Sequence, residues 1–285
     1  MIRTPLSTVV GGAFWTPEAT IVGGTRPSFE TVMKKLFANG EQGFFYDPND
    51  LSTMYQDAAG TTPVTAAGQP VGLILDKSGR NNHAYQTVSA SRPILQRNAT
   101  TGAYYLAFDG VDDFLQTANI DFTSTDKVSL FTGVTKLADA GKIIAELSPN
   151  TTVNAGSFFF VSGTYGGGNG YSSLARGSAN ADESQTALNF TYLAPDVAVL
   201  SVKHDISGDL SSMRRNGVVG INGLADKGTG SFGNYPLFIG RRAGIAFSFT
   251  GHLYGFIGIG KLVSDSETIA LEKAIAKNTG VTLNV

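Results

Sequence analysis

The sequence contains no cysteine, so its fold uses neither disulfide bonds nor thiolate metal sites. Charged residues make up only 15% of its 285 residues, below the usual share of roughly 25%. The net charge at pH 7 is −2, which gives no electrostatic basis for binding nucleic acid or an acidic membrane surface. No apolar run approaches the roughly 18 residues of a membrane-spanning helix, so the sequence predicts no membrane span.

Glycine and aromatic residues are abundant instead. The chain holds 35 Gly, 18 Phe and 10 Tyr, a composition typical of a β-rich globular protein with many turns. Between residues 43 and 263 we count roughly a dozen short apolar runs separated by turn residues, which is the pattern of two packed antiparallel sheets. The predicted fold class is therefore an all-β sandwich.

The clearest strand signal lies in residues 104–117, which read YYLAFDGVDDFLQT. Leu106 and Phe108 lie two positions apart, the period of a strand with one buried face. Asp109 and Gly110 form a strong turn dipeptide, since Gly takes positive φ without strain and Asp caps the turn. The apolar run then resumes, so we predict a hairpin-like unit of two strands around an acidic turn.

A second turn lies in residues 212–222, where Asn216 and Gly217 separate two strand-like runs. Both residue types tolerate positive φ, which a two-residue type I′ turn requires at both central positions. The sequence therefore predicts a tight hairpin at this point.

Two segments have helical periodicity. Apolar residues recur at helical spacing over residues 27–38. Residues 264–278 form the second predicted helix, which begins with a capping box between Ser264 and Glu267 and packs on the outside of the sandwich. Its predicted apolar face consists of Ile269, Ala270, Ala274 and Ile275.

The first 42 residues differ from the rest. Residues 1–25 hold short apolar pieces between Pro and Gly residues and are too short to form a core. One interpretation is a strand that lies on the main domain; the other is an arm that contacts a neighbouring subunit. We therefore divide the chain into an N-terminal arm with a short helix, residues 1–42, and a sandwich domain, residues 43–285. The predicted arm contacts are Phe14, Trp15, Ile21 and Val22.

Several segments together resemble a known group of domains. They are FYDPNDLSTMYQD, DKSGRNNHA, YLAFDGVDDFL, RRNG, PLFIGRRAG, FTGHLYGFIGIGK and a closing helix that ends in KNTGVTL. In this order they resemble the laminin-G-like, concanavalin-A-like jelly-roll domain, in the version found in bacteriophage virion proteins. The resemblance covers about residues 43–285 and implies a jelly-roll β-sandwich with a peripheral C-terminal helix.

The resemblance also implies a function. We expect a non-enzymatic virion structural protein, either a head decoration or a tail or fibre component, which is located in the virion. Such proteins occupy symmetric sites, so a homo-oligomer such as a trimer is expected, with the arm contacting other virion proteins. Because this sandwich serves many roles, a carbohydrate-binding module for host-surface glycan is the alternative.

Sugar binding needs aromatic rings that stack on pyranose faces, with polar side chains in nearby loops. The Gly-rich loop YGGGNG and the residue after it supply Tyr165, Asn169 and Tyr171. Arg241 and Arg242 form a second polar patch. We name these five residues as the candidate glycan site, with ordinary solvated loops as the alternative interpretation.

Acidic residues in the 104–117 segment have two interpretations. Asp109, Asp112 and Asp113 could supply oxygen ligands to Ca²⁺, which prefers several carboxylate and carbonyl oxygens. Laminin-G-like domains, which the chain resembles, sometimes carry a calcium ion. The alternative is that Asp109 and Asp112 cap their own turn. No other cofactor is predicted.

A glycan hydrolase is the third hypothesis, and the sequence supports it least. Hydrolysis needs two carboxyl groups that face one cleft, roughly 5–10 Å apart. On a strand this requires carboxylates two or four positions apart, as in the ExDxxE motif of the sandwich-fold glucanases, and the sequence contains no ExDxxE motif. Asp112 and Asp113 are adjacent, so on a strand they would point to opposite faces. We therefore assign no catalytic residues.

Overall fold

The computed structural model of the chain describes residues 29–163, 168–179, 184–187, 192–220, 222–243 and 245–285, with the backbone alone for residues 184–187. The chain divides into two compact units, Met1–Leu36 and Phe37–Val285. The described part of the first unit is helix α1 (Phe29–Leu36), which lies inside the helix predicted over residues 27–38. The predicted domain boundary at residue 42 stays a prediction. No described helix is long and apolar enough to cross a membrane.

The described residues of the second unit form seventeen strands and one α-helix. In chain order these are β1 (Gly43–Tyr46), β2 (Met54–Tyr55), β3 (Leu73–Ile74), β4 (Ala84–Tyr85), β5 (Ile94–Arg97), β6 (Tyr104–Asp109), β7 (Leu115–Asp121), β8 (Lys127–Lys136), β9 (Lys142–Leu147), β10 (Ser157–Ser162), β11 (Tyr171–Arg176), β12 (Ser184–Ala187), β13 (Asp196–Asp205), β14 (Leu210–Arg215), β15 (Val218–Val219), β16 (Asn234–Ile239), β17 (Thr250–Ile259) and α2 (Asp265–Thr279).

The strands form two antiparallel sheets. Sheet 1 has the order β15-β14-β13-β8-β17-β6-β5, and β1 also pairs with β17. Sheet 2 has the order β12-β11-β10-β9-β16-β7-β4-β3-β2. Seven of the fifteen strand pairings among the described residues join strands that are not consecutive in the sequence, as in a jelly roll rather than a simple meander. This architecture confirms the predicted all-β sandwich of two antiparallel sheets with a C-terminal helix.

One hydrophobic core fills the space between the sheets. Ten of its 34 described residues are aromatic, and Phe44, Phe122, Phe158 and Phe256 are all 0% exposed. Each such side chain contributes roughly 1.5–3 kcal/mol to folding when it is fully buried. Phe44, Phe158 and Phe256 lie on strands, where alternation places their neighbours on the outer faces of the sheets.

The acidic turn of residues 109–114 does not close a hairpin. β6 pairs with β5 and β17 in sheet 1, whereas β7 pairs with β4 and β16 in sheet 2. The prediction of a hairpin-like unit is therefore wrong in its pairing, although both strands exist. Two amphipathic strands joined by a turn have the same local pattern whether they pair or cross between sheets, so the sequence could not distinguish the two arrangements.

The second predicted hairpin is confirmed. Arg215 pairs with Val218 across the turn between β14 and β15. Asn216 has φ +52° and Gly217 has φ +83°, the positive values that a type I′ turn requires at both central positions.

The closing helix α2 begins with the predicted capping box between Ser264 and Glu267 and ends at Gly280, which has the left-handed conformation. It packs on the outer face of sheet 1 at Gly133. A Cβ atom at Gly133 would lie 2.6 Å from Thr279 and 2.8 Å from Ile275, so only glycine permits this close approach.

The buried face of α2 differs from the predicted one. Ala270 is exposed, whereas Glu272 is 0% exposed. Glu272 accepts hydrogen bonds from Arg214 Nε at 2.8 Å and Ser201 Oγ at 2.6 Å, both on sheet 1. Apolar periodicity cannot reveal a carboxylate that is buried by an ion pair, because the partner lies 58 residues away in the sequence.

Four buried polar side chains also lie between the sheets. We call them the His204 cluster: His204, Ser173, Ser211 and Lys227. All four residues are 0% exposed. Because the Ser173 hydroxyl donates to the Phe159 carbonyl at 2.8 Å, its oxygen accepts from His204 Nε2 at 2.8 Å. His204 Nδ1 then accepts from the Ser211 hydroxyl at 2.7 Å. This arrangement joins the two sheets through a neutral imidazole.

Candidate functional site

The strand pairings bring several connections together at one end of the sandwich. Asp109 pairs with Thr250, Gly251 pairs with Lys136, and Lys136 also pairs with Asp196, so these strand ends lie side by side. The loops β6–β7, β8–β9 and β16–β17 begin or end at these strand ends, and each of them crosses from one sheet to the other there. We call this region the loop end and define it as residues 109–114, 137–141, 168–170, 192–195 and 240–249 without 244.

All three described groups of sequence-predicted site residues lie at the loop end: the acidic turn, the arginine pair and the Asn169–Tyr171 segment. The β16–β17 loop, residues 240–249, contacts the acidic turn directly, since Ser248 Oγ donates to the Val111 carbonyl at 2.8 Å. Gly240, at φ +89°, also lies against the turn; a Cβ there would lie 3.2 Å from the Asp113 carbonyl oxygen. Residues from separate parts of the sequence thus form one surface.

The acidic turn brings its three carboxylates close together. One oxygen each of Asp109, Asp112 and Asp113 lies within 4.8 Å of the others. Asp109 Oδ1 accepts from the Val111 amide at 2.7 Å, and Asp112 Oδ2 accepts from Ser91 Oγ at 2.6 Å. The turn-capping interpretation therefore describes Asp109 well. The spacing also suits an oxygen-preferring cation, and the calcium site stays a prediction.

Asp113 is only 5% exposed. Burial raises the pKa of Asp113 to about 7; the hydrogen bond from the Asp109 amide lowers it, and the charges of Asp109 and Asp112 raise it. A protonated carboxyl beside ionised ones is the pairing that glycosidases use. A general acid must also reach the glycosidic oxygen, however, and the burial of Asp113 does not provide that access.

A buried ion pair supports the β16–β17 loop. Glu146 on β9 is 0% exposed, and Arg242 Nε lies 2.8 Å from its Oε2. Thr151 donates both its amide, at 2.7 Å, and its hydroxyl, at 2.6 Å, to Glu146 Oε1. Arg242 also lies against the ring of Phe159 on β10, 5.9 Å from the centroid. The predicted site residue Arg242 thus anchors the loop to sheet 2.

The same loop presents two apolar side chains to solvent. Ile245 is 76% exposed and Phe247 is 50% exposed. The Arg242 guanidinium lies 5.0 Å from the centroid of the Phe247 ring, a distance at which cation and ring attract each other. One face of the Phe247 ring is thereby supported by a charged group that is itself fixed by Glu146.

The backbone of this loop is strained at two positions. Ala243 has φ +44° and Phe247 has φ +55°, values that cost roughly 1–3 kcal/mol for residues with a side chain. The loop keeps this shape through backbone hydrogen bonds, from Arg242 to the Ala246 carbonyl at 2.9 Å and from Ile143 to the Phe247 carbonyl at 2.9 Å. Strain that holds an exposed aromatic ring in place is characteristic of functional loops.

Arg241 differs from its neighbour. It is partly exposed, and its Nε atom is buried without a hydrogen-bond partner. No carboxylate of the described residues lies within 4.0 Å of its guanidinium, whereas Arg242 is neutralised by Glu146. Two arginines that are adjacent in sequence therefore have opposite surroundings.

The Gly-rich loop supplies a different kind of group. Tyr165 lies outside the described residues. The Asn169 carbonyl accepts from Lys136 Nζ at 2.7 Å, and the Tyr171 hydroxyl donates to Asp196 Oδ2 at 2.8 Å. Tyr171 is 0% exposed, and burial raises its pKa well above the usual value. Contrary to the expected exposed aromatic, Tyr171 presents no ring face to solvent, because it packs into the core beside Lys136.

The predicted arm contacts Phe14, Trp15, Ile21 and Val22 lie outside the described residues. Sequence reasoning also missed Ile245 and Phe247 at the loop end, and Glu146 on β9, which supports the β16–β17 loop through Arg242. The sequence AGIAFSF around Phe247 resembles any apolar strand segment, and Glu146 lies 96 residues from Arg242. The relation between Glu146 and the loop that carries Phe247 follows from the strand pairings, which place β9 beside β16.

No model of a known protein family matches the chain, and no curated protein matches it. Solved structures do match it in fold. A botulinum neurotoxin serotype D ligand-binding domain, in complex with N-acetylneuraminic acid, is 10% identical over 85% of this chain and 52% of that chain, with a TM-score of 0.55. Domain 4 of AbnA, a GH43 extracellular arabinanase from Geobacillus stearothermophilus in complex with arabinotriose, is 10% identical over 81% of this chain and 98% of that chain, with a TM-score of 0.53.

A third match is a botulinum neurotoxin type C structure whose description concerns cell entry and interaction with two ganglioside molecules. It is 12% identical over 85% of this chain and 53% of that chain, with a TM-score of 0.53. The chain therefore spans about half the length of the neurotoxin chains it matches. At these identities the likeness shows the fold alone, which is a lectin-like jelly-roll β-sandwich.

Proposed function

We propose that this sandwich binds carbohydrate at its loop end, without catalysing a reaction. The observation that carries the proposal is Phe247, a half-exposed aromatic ring held by a strained backbone and supported by Arg242. Sugar rings present apolar C–H faces that pack on such rings, while nearby polar groups bind the hydroxyls. The fold supports this proposal, since domains with the same architecture were solved with sugars bound.

The test is a glycan array with the purified protein, followed by titration of the best ligand into the wild type and the variant Phe247→Ala. We expect the variant to lose roughly tenfold or more in affinity, because the ring supplies the central apolar contact. Folding should be unaffected, since half of the ring is already in solvent.

A matched control is Val153→Ala, which truncates a side chain that is 73% exposed in the β9–β10 loop at the opposite end of the sandwich. This variant should bind like the wild type. If Phe247→Ala also binds like the wild type, or if no glycan binds at all, the loop end is not a carbohydrate site.

The virion role implied by the sequence resemblance stays a prediction, together with the virion location, the homo-oligomer and the arm contacts. Imaging of particles with and without the protein would test it: a regular lattice on the capsid indicates decoration, and density at the tail tip indicates host recognition. Glycan binding at the loop end is compatible with either location. A protein that forms a stable monomer and does not bind particles lacking it would contradict the virion role.

A further inference from the structure

Arg241 is an arginine of the loop end that forms no ion pair with the carboxylates of the described residues. Its Nε atom is buried without a hydrogen bond. Leaving a buried charged donor unbonded is unfavourable, because the group gives up its water without compensation. The buried Nε is closed to a ligand, but the side chain as a whole is partly exposed, and the planar fork of a guanidinium matches a carboxylate or a sulfate.

Three other buried polar atoms among the described residues lack partners: Thr135 Oγ1, Ser148 Oγ and Arg176 Nε. Two of them are neutral hydroxyls, and Arg176 is only 8% exposed. Arg241 differs because it is partly exposed and lies in the same loop as Ile245 and Phe247. It is therefore the one of the four that is charged, partly exposed and in the same loop as the proposed sugar contact Phe247.

The acidic turn is near this loop and could oppose an anionic ligand. Its carboxylates do not pair with Arg241, however, so they leave the guanidinium available. Their repulsion acts through solvent and weakens over about 8 Å at physiological salt. A direct bidentate contact with Arg241 is not screened in this way, so we expect the contact to dominate.

We propose that Arg241 selects sugars that carry an anionic group, either a carboxylate or a sulfate, at the loop end. This inference rests on the proposed carbohydrate binding and names the class of sugar. Phe247 would pack against the sugar ring, and Arg241 would bind the acidic substituent. Arg242 takes no such role, since Glu146 already neutralises it.

The test compares wild type and Arg241→Gln on an array that holds neutral, carboxylated and sulfated glycans, which separates the two sources of the anionic group. The best acidic ligand is then titrated beside the same glycan with its acidic group removed or reduced. We expect the wild type to prefer the acidic form by roughly tenfold. Arg241→Gln should bind both forms equally and bind the neutral form as the wild type does.

A charge-matched control is Arg97→Gln, which removes an exposed arginine at the end of β5, opposite the start of β6 and away from the loop end. It should keep the acidic preference. A second measurement is NMR of the arginine Nε–H groups: the Arg241 signal should shift with the acidic glycan and not with the neutral one.

The outcomes separate the two proposals. If Phe247→Ala weakens both forms while Arg241→Gln leaves their ratio unchanged, or if the wild type prefers neutral glycans, the role of Arg241 is wrong and carbohydrate binding stands. If Phe247→Ala affects neither form, or if nothing binds, carbohydrate binding at the loop end fails and the role of Arg241 fails with it.

Discussion

The His204 cluster and the Arg242–Glu146 pair under the β16–β17 loop are both buried polar groups, but the first lies between the sheets and the second on the outer face of sheet 2. In the His204 cluster each nitrogen of the imidazole has a serine partner, at 2.8 and 2.7 Å. Lys227 Nζ donates to the Ala225 carbonyl at 2.9 Å. In the β16–β17 loop, Arg242 is satisfied by Glu146 but Arg241 Nε has no partner.

The two regions also differ in exposure. The His204 cluster is fully buried, whereas the loop carries Phe247 at 50% exposure and Ile245 at 76%. A buried polar network with every partner present rigidifies a fold. A region that combines satisfied buried charges with an unmet donor and exposed apolar groups has the composition of a binding site. Under the proposed carbohydrate binding, the His204 cluster is structural and the polar groups of the β16–β17 loop contribute to the site.

Breaking the ion pair under the loop should have the largest effect. Arg242→Met leaves Glu146 buried without its cation, which we expect to lower the free energy of unfolding by about 3–5 kcal/mol. Urea denaturation of the purified variant measures it. The double variant Glu146→Leu/Arg242→Met should recover only part of the loss, because the Thr151 amide and hydroxyl then lose their acceptor. A loss below about 1 kcal/mol for the single variant would mean that solvent reaches the pair.

Low pH should destabilise the protein through the His204 cluster. Burial lowers the pKa of His204 to about 3, below its usual value of 6.5. The unfolded chain therefore binds a proton that the folded chain excludes between these values, so stability is present above pH 6.5 and is lost as the pH falls toward 3. We expect this group to lower the free energy of unfolding by roughly 3 kcal/mol between pH 7 and pH 4. Denaturation curves for wild type and His204→Phe measure it: the variant is less stable at pH 7 but should lack this part of the pH slope.

At the loop end, the titration of Asp113 should change the free energy of unfolding with pH in the opposite direction. Its pKa is raised to about 7, so the folded chain binds a proton that the unfolded chain releases above about pH 4. Its contribution is full below pH 4 and is lost as the pH rises through 7. Asp113→Asn should match the wild type at pH 4 and be more stable at pH 8 by roughly 3–4 kcal/mol.

The same variant tests the predicted calcium site. Bound Ca²⁺ would hold the Asp113 carboxylate ionised and stabilise the wild type at pH 8, so the advantage of Asp113→Asn should shrink when calcium is added. Denaturation curves at pH 8 with calcium and with chelator make the comparison. Identical wild-type curves in the two conditions would contradict a calcium site formed by Asp109, Asp112 and Asp113.

Local pattern was enough to predict most single elements. The alternation of Leu106 and Phe108 predicted β6, and Asn216 with Gly217 predicted the type I′ turn. The capping box predicted the start of α2. In each case a few neighbouring residues determine the conformation, so the sequence contains the relevant physics within a short window.

What was missed depends on contacts between distant residues. The acidic turn crosses between sheets instead of closing a hairpin, since pairing with β17 and β16 decides where β6 and β7 lie. The burial of Glu146 depends on Arg242, and that of Tyr171 on its place in the core. The described residues among the predicted sugar contacts do lie at one end of the fold. The exposed aromatic ring at that end, however, is Phe247, and no local sequence pattern indicated its strained backbone.

The smallest expected effect tests whether backbone strain or the contact with Arg242 positions Phe247 in the β16–β17 loop. Ala243→Gly keeps every side chain of the proposed site and relieves the cost of φ +44°, so we expect the free energy of unfolding to rise by about 0.5–1 kcal/mol. If the strained backbone pre-organises the Phe247 ring, the same variant should bind glycan a few-fold more weakly, because a more flexible loop loses more entropy on binding.

Ala246→Gly is the matched control: its φ is not positive, so glycine there relieves nothing and should lower stability by a similar amount. A variant at Ala243 that is more stable and binds as tightly as the wild type would show that the strain only accommodates the chain path, and that Phe247 is positioned by its contact with Arg242 alone.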